Sequence, residues 1–216
     1  MTHSTDPGSL LERSAYAAAL HEATQVLSSL ASLESQVALA AQWCLSAFRC
    51  GNKLLVCGNG GSAAEAQHLV GELVGRYKQT RAPLAAIALN SDSILLTCIG
   101  NDFDFEDVFA RQVEGLGHAG DLLIVFTTSG NSPNILRAIS AAKTLKMRTI
   151  AFLGRDGGAA FSLVDCPLMV AHFDTARSQE GHNFLMHCLM DKVEAGLQEY
   201  VASERLIAIE ESVEDE

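Results

Sequence analysis

Apolar residues recur at three- and four-residue steps through "LLERSAYAAALHEATQVLSSLASLESQVALAAQWCLSAFRCG", the spacing of a buried helical face. The pattern predicts two helices, broken near Ser32 and stopped by Gly51. From Lys53 the rhythm changes to short solid apolar runs. "KLLVCG", "LAAIAL", "DLLIVFTTSG", "RTIAFLG" and "PLMVAH" predict strands. Between them lie predicted helices from the "NGGS" loop through Arg76, near 92–100, over 104–116, and from Pro133 to about Leu145. A last helix is expected from about 177 to 203, and "GRDGG" (154–158) reads as a loop. Strands alternating with helices predict an α/β fold with a parallel sheet covered on both faces. Right-handed crossovers then place the strand-to-helix loops at the carboxyl edge of the sheet, where ligands sit in this architecture.

A chain of 216 residues suits one α/β domain with a single core. That domain is expected over 10–203, between a disordered stretch at 1–9 and an acidic tail at 204–216. The formal charge of −11 argues against broad binding to nucleic acid or to an anionic membrane, since both would repel it. The opening "MTHSTDPGSLLERS" has no apolar signal core, and no apolar run reaches the length of a membrane span. Six scattered cysteines without a CxxC pair read as reduced thiols of a cytoplasmic protein, with Cys57 and Cys98 as small buried apolar residues. The front helices carry more apolar surface than two exposed helices need, so packing against another subunit is expected.

Two loops carry unusual residues. "TTSGNSPN" puts the hydroxyls of Thr127, Thr128, Ser129 and Ser132 within six residues. Gly130 eases the turn, and a helix opens at Pro133. Hydroxyls and free N–H groups at a helix N-terminus suit an anion, and a phosphate reading outweighs simple capping. "CGNGGS" offers close backbone approach at Gly58, Gly60 and Gly61, with Ser62 as the expected cap of the next helix. It lacks both the P-loop and the dinucleotide-binding spacing, which argues against a nucleotide.

Glu65, His68 and Glu72 stand three and four residues apart, on one helical face. A solvated His–Glu pair satisfies that spacing equally well. "SQEGHNFLMHC" adds Gln179, His182 and His187, with Gln179 and His187 roughly 12 Å apart along a regular helix. Gly181 weakens the helix there, so its first turn is free to be irregular. Two His, one Glu and one Gln from these segments form a four-donor set suited to zinc or a similar ion, although His182 or His187 taken singly reads by default as a buried structural histidine. Pattern alone ends at an anion-binding α/β protein with a candidate metal site.

"CGNGGSAAEAQHLVGELVGRY", "LNSDSILLTCIGNDFDFEDVFARQV", "GHAGDLLIVFTTSGNSPNILRAI" and "RSQEGHNFLMH" together resemble a sugar isomerase (SIS) domain, and within it the phosphoheptose isomerases. The likeness runs from about residue 10 to 200, in order and without large gaps. It implies a flavodoxin-like three-layer sandwich with a five-stranded parallel sheet and N-terminal helices. It also implies a homotetramer with active sites between subunits. Zinc would be held by His68, Glu72, Gln179 and His187, with Glu72 and His187 as the acid–base pair. Phosphate-binding hydroxyls match Ser62, Thr127, Thr128, Ser129 and Ser132. Asn59, Gly60, Gly61, Asp92, Asn101, Asp102, Glu72 and Gln179 complete the implied substrate contacts, while His182 supports from behind. Glu65 matches a variable position.

The implied reaction converts sedoheptulose 7-phosphate to D-glycero-D-manno-heptose 7-phosphate through an enediol, opening the synthesis of nucleotide-activated heptose. Three other readings share parts of the pattern. "GHAGD" and "IALNSD" are similar to tetrameric SIS adaptors that bind the replication initiator. The loops also suit an isomerase of another phosphosugar, or a sugar-phosphate sensor. Glu72, Gln179 and His187 together favour the heptose enzyme.

Overall fold

The computed structural model describes residues 7–214, with side-chain surroundings for 14–199. Helix α1 (Pro7–Ser29) runs into a 3-10 turn (Leu30–Leu33) and then α2 (Glu34–Arg49), so the break falls near Ser32 as the periodicity predicts. The chain then alternates: β1 (Leu54–Gly58), α3 (Gly61–Val74), β2 (Ala86–Ala88), α4 (Ser93–Asp102), a 3-10 turn (Phe105–Asp107) and α5 (Ala110–Leu116). After these come β3 (Leu122–Thr127), α6 (Pro133–Thr144), β4 (Arg148–Gly154), α7 (Gly158–Leu163), β5 (Cys166–Val170) and α8 (Thr175–Glu214).

All strand pairs are parallel, in the order β2-β1-β3-β4-β5. This is the flavodoxin-like order, and its switch point falls between β1 and β3. Alternate strand residues feed two separate cores. Leu54, Val56, Ile124, Phe126 and Phe152 pack under α1, α2, α3 and α8. Leu55, Cys57, Val125, Ala151 and Leu153 pack under α4, α5, α6 and α7. This period-two division makes three layers, and each fully buried Leu, Ile or Phe contributes about 1.5–3 kcal/mol.

The structure departs from expectation in several places. Pro7 to Ser9 are helical rather than disordered, and α8 continues through the expected tail to Glu214. Residues 1–6 and 215–216 lie outside the described residues. Part of "GRDGG" opens α7, a helix too short for its period to show. Gly181 sits inside regular α8 and does not loosen its first turn; a Cβ there would lie 2.8 Å from Val170. Cys98 is exposed, whereas Cys57 is buried as expected.

Candidate active site at the carboxyl edge

The loops after β1 and β3 are neighbours because those strands pair, with Gly58 opposite Phe126. A reciprocal amide pair joins them: Asn59 Nδ2 donates to Asn134 Oδ1 and Asn134 Nδ2 to Asn59 Oδ1, both at 2.9 Å. Asn134 is buried, and the sequence reading passed over it. In the β3 loop, Gly130 has φ +64, and a Cβ there would stand 1.8 Å from Gly157 O, so only glycine fits. The loop from β4 braces it further, since Ala159 N donates to Asn131 Oδ1 and Ala160 N to Gly130 O.

The four hydroxyls of this loop are used unevenly. Thr127 Oγ1 accepts from Gly130 N, and Ser129 Oγ accepts from Asn131 N. Ser132 is the N-cap of α6, yet its side chain makes no cap bond. Pro133 follows and has no N–H, while Ile135 N and Leu136 N donate to Ser132 O at 3.0 and 3.1 Å, so this turn closes largely on its own cap. Ser62 does not cap α3 as expected. Gly60, at φ +57, is the N-cap, and Ser62 is buried in the first turn of the helix.

Helix α3 carries His68 and Glu72 one turn apart, with His68 Nε2 3.1 Å from Glu72 Oε1. Helix α8 brings His187 to them, its ring 5.2 Å from the ring of His68. One donor atom from each of the three lies within 4.8 Å of the others. Donors about 2 Å from a tetrahedral ion stand about 3.3 Å apart, so a slight side-chain rotation closes this set around one. Two imidazoles and a carboxylate are the donor types that suit zinc and its neighbours.

Gln179 lies elsewhere on α8. Its side chain sits against Gly61, where an added Cβ would be 2.3 Å from Nε2. Both it and His187 lie on regular α8, so eight residues separate them by about 12 Å along the axis. Gln179 and His68 do share a cavity of about 380 Å³ lined also by Gly61, Glu65 and Asn183. Glu65 is buried there, 3.6 Å from the fully buried His182. Among the described residues, neither its carboxylate nor the His182 ring makes a hydrogen bond. Glu65 is thus a buried member of this edge, which its helical position alone did not reveal.

Asp92 caps α4, with Oδ1 accepting from Ile94 N and Leu95 N. Asn101 and Asp102 pair with each other at the opposite end of that helix, about 13 Å away along its axis. Tyr77, which the sequence places with Arg76 at the end of the helix after β1, facing the interface or substrate, stacks its ring on His187 at 5.8 Å and 11°.

A SIS domain model matches residues 19–154. The phosphoheptose isomerase of Geobacter sp. (strain M21) is 50% identical over 165 residues, covering 76% of this chain and 84% of that one. That of Pelobacter propionicus is 53% identical over 153 residues, covering 71% and 81%. The chain belongs to the phosphoheptose isomerases of the SIS domain family. The solved phosphoheptose isomerase from Neisseria gonorrhoeae superposes with a TM-score of 0.80 at 41% identity, over 86% of this chain and 99% of that one. As a member of this family the chain is an isomerase, and its five-stranded parallel sheet is the family's fold. Among the described residues, no helix is long and apolar enough to cross a membrane.

Proposed function

We propose that this chain isomerises sedoheptulose 7-phosphate to D-glycero-D-manno-heptose 7-phosphate in the cytoplasm, supplying the route to activated heptose. The observation that carries the reading is the meeting of Glu72 with His187, brought from distant parts of the chain to one patch. The loop hydroxyls of Thr127, Thr128, Ser129 and Ser132, with Ser62, would hold the phosphate at the N-terminus of α6. Asn59, Gly60 and Gly61 border the sugar, and Gln179 reaches it from across the cavity. Phosphate binding remote from the reacting carbons would hold C1 and C2 against the acid–base pair, so binding energy serves orientation.

An aldose–ketose exchange moves one proton between C1 and C2. In this reading a Glu72 carboxylate oxygen takes the carbon-bound proton, while His187 exchanges the proton of the substrate oxygen. His68, Glu72 and His187 would hold a zinc ion, with Gln179 as a fourth donor after its side chain swings from Gly61. When bound, such an ion polarises a carbonyl and favours developing negative charge on oxygen. With Oε1 beside His68 Nε2, Glu72 has Oε2 for the proton.

Asp92 and the Asn101–Asp102 pair stand too far apart along α4 to border one small sugar within a single protomer. A site shared between copies gives each a place. Exposed Tyr16 and Leu20 on α1, with Ile94 on α4 and Phe103 just after it, provide apolar surface for such an assembly. The proposal therefore includes a homotetramer with sites between subunits. The test is product identification after incubation with sedoheptulose 7-phosphate and zinc, beside a chelated sample. Formation of the aldoheptose 7-phosphate, lost on chelation and restored by zinc, is expected. Full activity after chelation would remove the metal from the mechanism, and absence of product in every sample would overturn the activity.

A further inference from the structure

Glu194 lies about two turns beyond His187 on α8 and is only 5% exposed. Its carboxylate accepts from Lys78 N at 3.2 Å, Gln79 N at 3.1 Å and Arg81 Nε at 3.3 Å. Arg81 in turn donates to Glu72 O at 2.6 Å and Leu73 O at 2.8 Å. Those carbonyls belong to the last turn of α3, where the helix itself supplies no partner for them. Glu194 and Arg81 therefore clip α8 to the end of α3 that carries Glu72.

The clipped segment also delivers Tyr77. Its ring lies nearly parallel to that of His187, and Lys78 Nζ stands 4.9 Å from the Tyr77 centroid while pairing with Asp191 of α8. Every polar contact of Glu194 thus falls on the stretch between Glu72 and the strand that follows it. Both members of the acid–base pair border that stretch, one through its backbone and one through its ring.

We infer that Glu194 is a positioning residue for proton transfer: by fixing the segment Tyr77–Arg81 it sets the ring orientation of His187 and the place of Glu72. The inference rests on the isomerase reading of the site. A loop anchor of purely structural value would change stability and leave turnover alone. A positioning residue changes kcat, because displacing a reacting group by about 1 Å can cost about 100-fold in rate.

The experiment uses the full chain with zinc and sedoheptulose 7-phosphate. It compares Glu194→Ala, Glu194→Gln, Tyr77→Leu and Tyr77→Phe, with Lys53→Met as a destabilised control at the opposite edge of the sheet. Glu194→Ala is expected to lower kcat by about 100-fold with KM within about threefold. Glu194→Gln, which keeps an acceptor oxygen for the backbone, falls between it and wild type. Tyr77→Leu loses turnover as well, and Tyr77→Phe recovers most of it by restoring the stacked ring. A second readout needs no turnover: in metal-free protein, the His187 ring-proton resonance moves in Glu194→Ala as the Tyr77 ring current is lost, and stays fixed in Lys53→Met. A folded Glu194→Ala with wild-type kcat and an unmoved resonance overturns the inference. If Glu194→Ala does not fold, Glu194→Gln and Tyr77→Leu decide by the same two measures. If wild-type protein turns over no sugar phosphate, the isomerase reading fails, and the resonance still decides whether Glu194 orients His187.

Discussion

Asp121 and Glu65 are both buried carboxylates, at opposite edges of the sheet, and the fold treats them differently. Asp121, at the amino edge, is 2% exposed and fully engaged. Oδ1 accepts from Lys53 N at 3.0 Å, and Oδ2 accepts from Lys53 Nζ at 2.6 Å and His118 N at 2.8 Å. Glu65, at the carboxyl edge, is 6% exposed and faces His182, and neither has a hydrogen-bond partner among the described residues. A buried carboxylate stabilises a fold only when its lone pairs are occupied. The amino edge spends its polar groups on holding strands together. The carboxyl edge keeps some uncommitted, and such local departures from good packing chemistry collect at functional sites.

The largest expected effect sharpens that division by attacking turnover alone. Glu72→Gln and His187→Ala should each lower kcat by about 10²–10⁴-fold, measured by product formation, with the midpoint of urea unfolding little changed. A large shift in that midpoint would show that this edge also carries the fold.

The reverse is expected at the amino edge. Lys53→Met leaves Asp121 buried without its ammonium partner and should cost about 3 kcal/mol in urea unfolding, with kcat kept. Its pH dependence has a definite sign. Burial pushes the Asp121 carboxyl up, but Lys53 and the N–H groups of Lys53 and His118 outweigh this and hold it below its usual range. Stability from a depressed carboxyl is present above its unfolded pKa and fades as pH falls through the folded one. The gap between wild type and Lys53→Met should therefore narrow in acid, below about pH 4. A constant gap from pH 7 to pH 3 would assign the loss to packing instead.

A smaller effect tests Glu65 directly. Glu65→Gln keeps the volume and replaces a carboxyl that has no hydrogen-bond partner among the described residues, so stability should stay within about 1 kcal/mol of wild type or rise. Asp121→Asn, the matching change at the other edge, should be clearly destabilising. Equal losses in the two would erase the contrast.

The smallest effect is chemical. Burial pushes the Cys44 thiol up to about 12 and the Cys166 thiol up to about 11, and Cys57 is raised further by the same cause. Thiol titration of native protein near pH 8 should find exposed Cys50 reacting first and these three last. Early reaction of Cys57 would reveal opening of the sheet near the β1 loop.

Most of the fold was legible because strands and helices advertise themselves locally. The solid apolar runs marked the strands, and their parallel order followed from the intervening helices. β2 proved shorter than "LAAIAL" suggested, as an edge strand with Ile87 exposed has little to bury. α7 was missed because Ala160 is its sole buried residue, too few to show a helical period. At the site, a spacing of four put His68 and Glu72 on one helical face, but it did not separate them from a solvated pair. The pattern offered His182 and His187 alike, and the family likeness singled out His187. The pairings of Asn59 with Asn134, Glu65 with His182, and Arg81 with Glu194 join residues distant in sequence. No periodicity encodes them.

The placement of His187 on the final helix has a bearing on biosynthesis. His68 and Glu72 leave the ribosome early, and four of the five strands follow before α8 exists. At synthesis rates of about 5–20 residues per second, several seconds pass between the making of Glu72 and that of His187. An interrupted chain lacking α8 would lack His187 and also Leu185, Met186 and Leu189, so the core beneath that helix would stand open.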